Sequence, residues 1–380
     1  MSPIPRSEIQ TIPCVHHGAP DYAELERLGL SPDEIIDFSV NSNPYGPAPA
    51  VRQALESVPL DRYPDREALA LRRSLSEHHL LSPESILVTN GTAELIWLIA
   101  LTYLRPDDSV LIVEPTFGEY ARAAALMGAE VHTWQAQPED EFAFQVDGIE
   151  QRLQEYDYRL VFLCNPTNPT GQALSPPIIR EWAKEHPKTL FVIDEAYIAF
   201  AKEMTTAADP QQANLLIMRS MTKDYALAGL RLGYAVGHEN VIQALSKTRP
   251  PWSVNALAQA GGIAALENQI YYQDCWNKSR QNKETLVSAL EGLGFSPVPS
   301  RTHFFLLPVG NGAHFRSALM KHGIQVRDCA SFGLPGHVRI AARRPEENSK
   351  LLQAIESTKF TKHMKNNIYD PTLFDPPRGN

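Results

Sequence analysis

Between residues 86 and 236 the chain alternates short apolar runs with amphipathic stretches. The apolar runs fall at 86–89, 109–113, 130–133, 160–164, 190–193, 215–218 and 234–236. They are nearly continuous rather than alternating, as strands covered on both faces should be. The stretches 93–103, 119–126, 176–185 and 239–246 carry apolar positions at helical spacing. Strand and helix in this alternation predict an α/β fold, a mainly parallel sheet covered by helices on both faces.

The flanks read differently. Residues before about Asp37 are polar and proline-rich with a short helical pattern at 22–28, as expected of an arm lying on another surface. Residues 35–39 lead into the turn-rich Asn41-Ser42-Asn43-Pro44-Tyr45-Gly46-Pro47. Helical patterns follow at 49–56 and 67–78, and long ones at 255–267 and 276–293. After Gly294 come strand patterns at 304–307, 324–326 and 338–340 and helical patterns at 314–322 and 345–357. This predicts an arm over 1–48, a large domain over 49–293, a smaller α+β domain over 294–360, and a polar, proline-bearing tail over 361–380 expected to be mobile. No internal repeat is visible.

Composition narrows the options. A chain of 380 residues is long for one compact core, and 43% hydrophobic residues can bury a sizeable one. The net charge is −9, with no basic tract interleaved with aromatics, which argues against a nucleic-acid partner. Cys14, Cys164, Cys275 and Cys329 are far apart, without metal-ligand spacing or a disulfide framework. They read as reduced thiols, so a cytoplasmic protein without a bound metal is expected. The N-terminus has no apolar segment behind its charge, and the most apolar run, 95–104, is about half of a bilayer span, so no membrane partner is expected.

Candidate chemistry centres on Arg219-Ser220-Met221-Thr222-Lys223, followed by Arg231, Gly233 and Tyr234. A lysine near other cations, or partly desolvated, loses its proton readily and suits Schiff-base chemistry, although one lysine alone could be a surface charge. Thr89-Asn90-Gly91-Thr92-Ala93-Glu94 follows an apolar run and opens a helix, a place where backbone N–H groups accept a phosphate or merely cap. Asn165-Pro166-Thr167-Asn168-Pro169-Thr170-Gly171 is unusually rigid for a loop. Asp194, directly after an apolar run, needs a cation to offset its burial. A protonated ring nitrogen of a cofactor or a structural arginine would serve equally.

Asn168-Pro169-Thr170-Gly171, Asp194-x-Ala196-Tyr197 and Ser220-x-x-Lys223 followed by Arg231 together resemble the fold-type I pyridoxal-phosphate enzymes of the class I/II aminotransferase group, over nearly the whole chain. The resemblance implies pyridoxal 5'-phosphate bound to Lys223, with Asp194 on the pyridinium nitrogen, which keeps the ring an electron sink. It places Asn168 and Tyr197 on the phenolic oxygen and Phe117 over one ring face. Gly91, Thr92, Ala93, Ser220 and Arg231 would surround the phosphate. Tyr63 would reach the phosphate of a neighbouring subunit, implying a homodimer with shared active sites, and the Asn168–Pro169 bond is expected to be cis.

Within the group, Arg219-Ser220-Met221-Thr222-Lys223-x-Tyr225, Trp252-Ser253-Val254-Asn255 and Phe38-Ser39-x-Asn41-x-Asn43-Pro44 look more like threonine-phosphate decarboxylases than like histidinol-phosphate aminotransferases. That resemblance turns His17, Asn41, Arg327 and Arg339 toward the substrate's anionic groups. Gly18-Ala19-Pro20 departs from the decarboxylase pattern in the arm. Decarboxylation of a phosphorylated amino acid is therefore the leading expectation, ahead of transamination, of β/γ-elimination or cyclisation, and of a non-catalytic binding protein. The outcome depends on which bond is held perpendicular to the ring, an orientation set by where the carboxylate is clamped.

Overall fold

A computed structural model describes residues 3–12 and 18–358. Its strands, in chain order, are β1 (Ile36–Asp37), β2 (Ile86–Thr89), β3 (Ser109–Glu114), β4 (Glu130–Gln135), β5 (Tyr158–Cys164), β6 (Leu190–Asp194), β7 (Leu215–Ser220), β8 (Gly233–Gly237), β9 (Phe304–Pro308), β10 (Ile324–Gln325), β11 (Arg327–Asp328) and β12 (His337–Ala341). Among the described residues, β2 to β8 form one sheet in the order β2-β8-β7-β6-β5-β3-β4. The strands are parallel except β8, which runs against both β7 and β2. The reversal has a local cause: the short segment joining β7 to β8 holds no crossover helix, and a parallel return needs one.

Period-two alternation divides the strand residues between two cores. Val88, Leu111, Val161, Phe191 and Ile217 face one helical layer. Their neighbours Leu87, Val110, Leu160, Val192 and Leu216 face the other. Both layers are dry, so the sheet is a rigid platform whose strand ends hold the loops in place.

The helices 22–28, 49–56, 119–126, 176–185 and 345–357 lie where the hydrophobic pattern puts them. A helix at Val146–Glu155 was not anticipated; it buries little beyond Ile149 and Leu153, too thin a stripe to stand out. The helix anticipated from residue 276 starts at Gln269, because Tyr271 and Tyr272 blur its period.

The second unit pairs β11, β12 and β9 antiparallel. Its core joins Phe305, Leu307, Val338 and Ile340 to Phe315, Leu319, Leu351 and Ile355, and takes in Leu286 and Leu290 from the end of the long helix. Strand β1 adds to it through a parallel pair with β10, Asp37 facing Gln325. His17, Cys14 and the 361–380 tail lie outside the described residues. No described helix is long and apolar enough to cross a membrane.

Candidate active site

The loops after β2, β5, β6 and β7 leave the sheet at one edge, the edge where ligands gather in open α/β sheets. Gly233, at the start of β8, pairs with both Ser220 and Thr89, so the ends of β7 and β2 meet there. A cavity of about 450 Å³ opens beside them. Asn41, Ala93, Phe117, Asn168 and Tyr197 line it together with Lys223, Arg231, Arg327 and Arg339.

Lys223 reaches the cavity from the β7–β8 segment. Burial, with the nearby Arg339 and Arg231 guanidinium groups, lowers its pKa to about 8 against partial compensation from Asp194. Asp194 ends β6 and is buried, which raises its pKa. The Tyr120 hydroxyl donates to its Oδ2 at 2.7 Å and the Ala196 N–H to its Oδ1 at 3.0 Å, and both bonds favour the carboxylate. Tyr120 was missed by sequence reasoning: nothing local marks it, and only the packing of helix Glu119–Leu126 brings it across to β6.

The open question over Asp194 has a structural answer. The arginine available to a buried acid, Arg219, pairs instead with Glu195, its Nε 3.3 Å from Oε2. Thr206 Oγ1 and the Ala207 N–H also donate to Glu195. Among the described residues no ion pair to Asp194 forms, and its carboxylate is bonded by Tyr120 and the Ala196 N–H.

Gly91 opens the helix Gly91–Tyr103 at φ +73°, and a Cβ there would lie 2.9 Å from Nη2 of Arg231. Only glycine lets this backbone sit under that guanidinium. Thr92 and Ala93 occupy the first turn, where N–H groups have no intrahelical acceptor. Ser220 Oγ lies 2.7 Å from Thr222 Oγ1 at the same edge. A guanidinium, an open helix start and hydroxyls in one corner are donors of the kind that bind an anion.

Arg339 is buried beneath the cavity. It donates through Nη1 to Asn168 Oδ1 and through Nη2 to the Ser39 carbonyl, and stacks on Phe304 at 5.7 Å. Its Nε has no hydrogen-bond partner among the described residues. The side-chain amide of Asn41, 1% exposed, approaches the Tyr197 hydroxyl without completing a hydrogen bond. Burial holds the Tyr197 phenol well above its ordinary pKa, so it is a donor at neutral pH. Arg327, on β11, bonds Ser331 Oγ at 2.7 Å and stacks on Phe332. Phe117 lies edge-on to Tyr120 at the cavity wall. The Asn168–Pro169 bond is cis.

Tyr63 is elsewhere. It is 78% exposed and stacks on Trp252 at 4.7 Å, outside the cavity of its own chain. Among the described residues no group of three or more His, Cys, Asp or Glu could hold a metal. Cys164, Cys275 and Cys329 are free and buried.

Fold and site thus define an α/β enzyme in which a lysine and several arginines line one pocket, with a buried acid close enough to act on the lysine's charge. The chain belongs to the aminotransferase class I and II family, whose model matches residues 33–355. It is 35% identical over 348 residues to histidinol-phosphate aminotransferase of Symbiobacterium thermophilum, covering 90% of this chain and 94% of that protein. The crystal structure of histidinol-phosphate aminotransferase from Sinorhizobium meliloti in complex with pyridoxal-5'-phosphate superposes with a TM-score of 0.82 at 25% identity, covering 94% and 98% of the two chains. L-threonine-O-3-phosphate decarboxylase from Porphyromonas gingivalis follows with 0.74 at 29%, covering 84% and 98%.

Proposed function

We propose that the protein is a pyridoxal 5'-phosphate-dependent aminotransferase acting on a small amino acid that carries a second anionic group. The leading expectation from sequence was decarboxylation; the named relatives favour the transamination alternative. The residues present fit the cofactor. The cradle of Gly91, Thr92, Ala93, Ser220 and Arg231 suits its phosphate, and Asp194 has no structural arginine of its own. Asn168 and Tyr197 offer bonds to a phenolic oxygen, and Phe117 an aromatic face. When bound, the cofactor supplies the electron sink that makes bonds at the substrate's α-carbon labile.

The protein's own groups then decide the outcome. The observation that carries the reading is Arg339, anchored on Asn168 and on the Ser39 carbonyl in the pocket that Lys223 enters. A carboxylate gripped by that fork is fixed in one orientation by two parallel bonds, and an orientation that keeps its bond to the α-carbon out of overlap with the electron sink retains it. Lys223 Nζ, with its pKa near 8, can accept the α-proton and return it. Asn41 faces the same ligand space, and Arg327 with Ser331 stands where a second anionic group would lie. The reading adds a homodimer in which Tyr63, exposed on Trp252, reaches the partner's phosphate cradle. His17 belongs to the proposed substrate set by resemblance alone.

The test is a panel of amino donors, L-glutamate and phosphorylated amino acids among them, offered with 2-oxo acids and analysed by mass spectrometry. New amino acid and 2-oxo acid in equal amounts support transamination. Carbon dioxide from threonine phosphate, with no amino transfer, would overturn it in favour of the decarboxylase.

A further inference from the structure

Arg339 depends on a carbonyl, and that carbonyl depends on the N-terminal arm. Ser39, whose C=O accepts from Arg339, is 1% exposed. Its N–H and its hydroxyl both donate to Asp37 Oδ1, at 2.7 and 2.6 Å. The same hydroxyl accepts from the Ala19 N–H at 3.1 Å and from Gln325 Nε2 at 3.2 Å. One donor and two acceptor positions are the whole capacity of a serine hydroxyl, so it is fully used. Gln325 Nε2 also donates to the Ala19 carbonyl at 3.0 Å, and Gln325 is the register partner of Asp37 across β1 and β10. One hydroxyl therefore ties together the arm, the first strand and the small unit.

The arm also bears directly on the acceptor. A Cβ at Gly18 would stand 2.6 Å from Ser39 O, so the arm backbone lies against the atom that orients Arg339. The following helix, Tyr22–Leu28, is held by a forked ion pair in which Arg316 Nη1 donates to Glu24 Oε1 at 2.8 Å and Nη2 to Oε2. Such two-point pairs fix orientation as well as distance.

We infer that Ser39 and Gln325 are positioning residues that make the aim of the Arg339 fork conditional on the docked arm. With the arm seated, the Ser39 carbonyl is immobile and the fork meets a carboxylate already oriented. With the arm lifted, Ser39 loses the bond from the Ala19 N–H and the packing of Gly18, Gln325 loses its bond to the Ala19 carbonyl, and the fork must be ordered at the expense of binding. This rests on the reading that Arg339 grips the substrate carboxylate.

The experiment is a half-reaction titration of the cofactor-loaded protein with L-glutamate, followed by its absorbance change, on six variants. Ser39→Ala and Gln325→Ala are expected to weaken glutamate binding roughly tenfold, the scale of one or two lost hydrogen bonds, with the limiting rate changed far less. Ser39→Thr, which keeps the hydroxyl, should restore it. Glu24→Arg should weaken binding likewise, and the exchanged pair Glu24→Arg with Arg316→Glu should recover it. Hydrogen exchange of residues 18–28, measured on the cofactor-free protein, should accelerate in Ser39→Ala and Gln325→Ala but not in Ser39→Thr. Arg339→Ala separates the two ideas. If it leaves glutamate binding unchanged, the proposed carboxylate site fails. If it weakens binding while Ser39→Ala and Gln325→Ala do not, or if exchange in the arm is unaltered, the positioning role alone is overturned.

Discussion

Arg327 and Arg339 stand directly opposite one another on the antiparallel strands β11 and β12, and both line the same cavity. Burial lowers the pKa of each, and for Arg327 the second cause is Arg339 itself. Like charges facing across a strand pair cost stability unless an anion lies between or beside them. The arrangement suits the proposed ligand, one with anionic groups.

A dianionic probe should therefore stabilise the protein. Maleate is expected to raise the thermal midpoint of the wild type. Arg327→Gln should leave ligand-free stability within about 1 kcal/mol yet weaken maleate binding roughly 10- to 100-fold, the loss of a charge-assisted contact. Differential scanning fluorimetry across a maleate series reads both; an unchanged maleate response in the variant would remove Arg327 from the site.

Capture of pyridoxal 5'-phosphate by cofactor-free protein should quicken as pH rises and level off above about 8, where Lys223 Nζ is neutral. The sign follows from burial, which favours the uncharged amine. The folded chain sheds this proton before the unfolded chain, whose lysine titrates near 10.5. Stability of the cofactor-free protein consequently gains with pH between the two values through this group. Stopped-flow absorbance gives the rate, and a flat profile from pH 6.5 to 9 would contradict the lowered pKa.

Asp194→Asn should keep the fold and most cofactor binding but slow the half-reaction roughly 100- to 1000-fold, as expected for loss of a preorganised charge. Tyr120→Phe removes the bond at 2.7 Å that favours the carboxylate, so it should slow the reaction less, about tenfold. Single-turnover kinetics with L-glutamate ranks the two; a larger effect in Tyr120→Phe than in Asp194→Asn would mean that Tyr120 acts on something other than Asp194.

Gly91→Ala places a methyl group 2.9 Å from Arg231 Nη2 at a backbone φ of +73°. Strain and the displaced guanidinium together should weaken pyridoxal 5'-phosphate affinity about 10- to 100-fold while leaving secondary structure intact. Fluorescence titration of the cofactor checks it, and affinity within twofold of wild type would show that the cradle does not depend on this approach.

The amino-acid order alone determined the α/β class, the strand positions of the large sheet and the chemistry-bearing loops, because each is written locally. Dry strands are continuous apolar runs, and the loops after them collect Gly91, Asn168, Asp194 and Lys223 within a few residues of each strand end. Its apolar pattern also marked the strand at 338–340, whereas Arg339 within it was singled out by the family resemblance. What it left open was partnership. Asp194 and Glu195 are adjacent, and nothing in their order says which one takes Arg219. The sheet decides it, since successive side chains on β6 and beyond point to opposite faces. The contacts of Tyr120, Ser39 and Gln325 were invisible for the same reason: each reaches a partner 74, 300 or 286 positions away along the chain. Long-range hydrogen bonds leave no local spacing to read, and only the packed tertiary structure brings their two ends together.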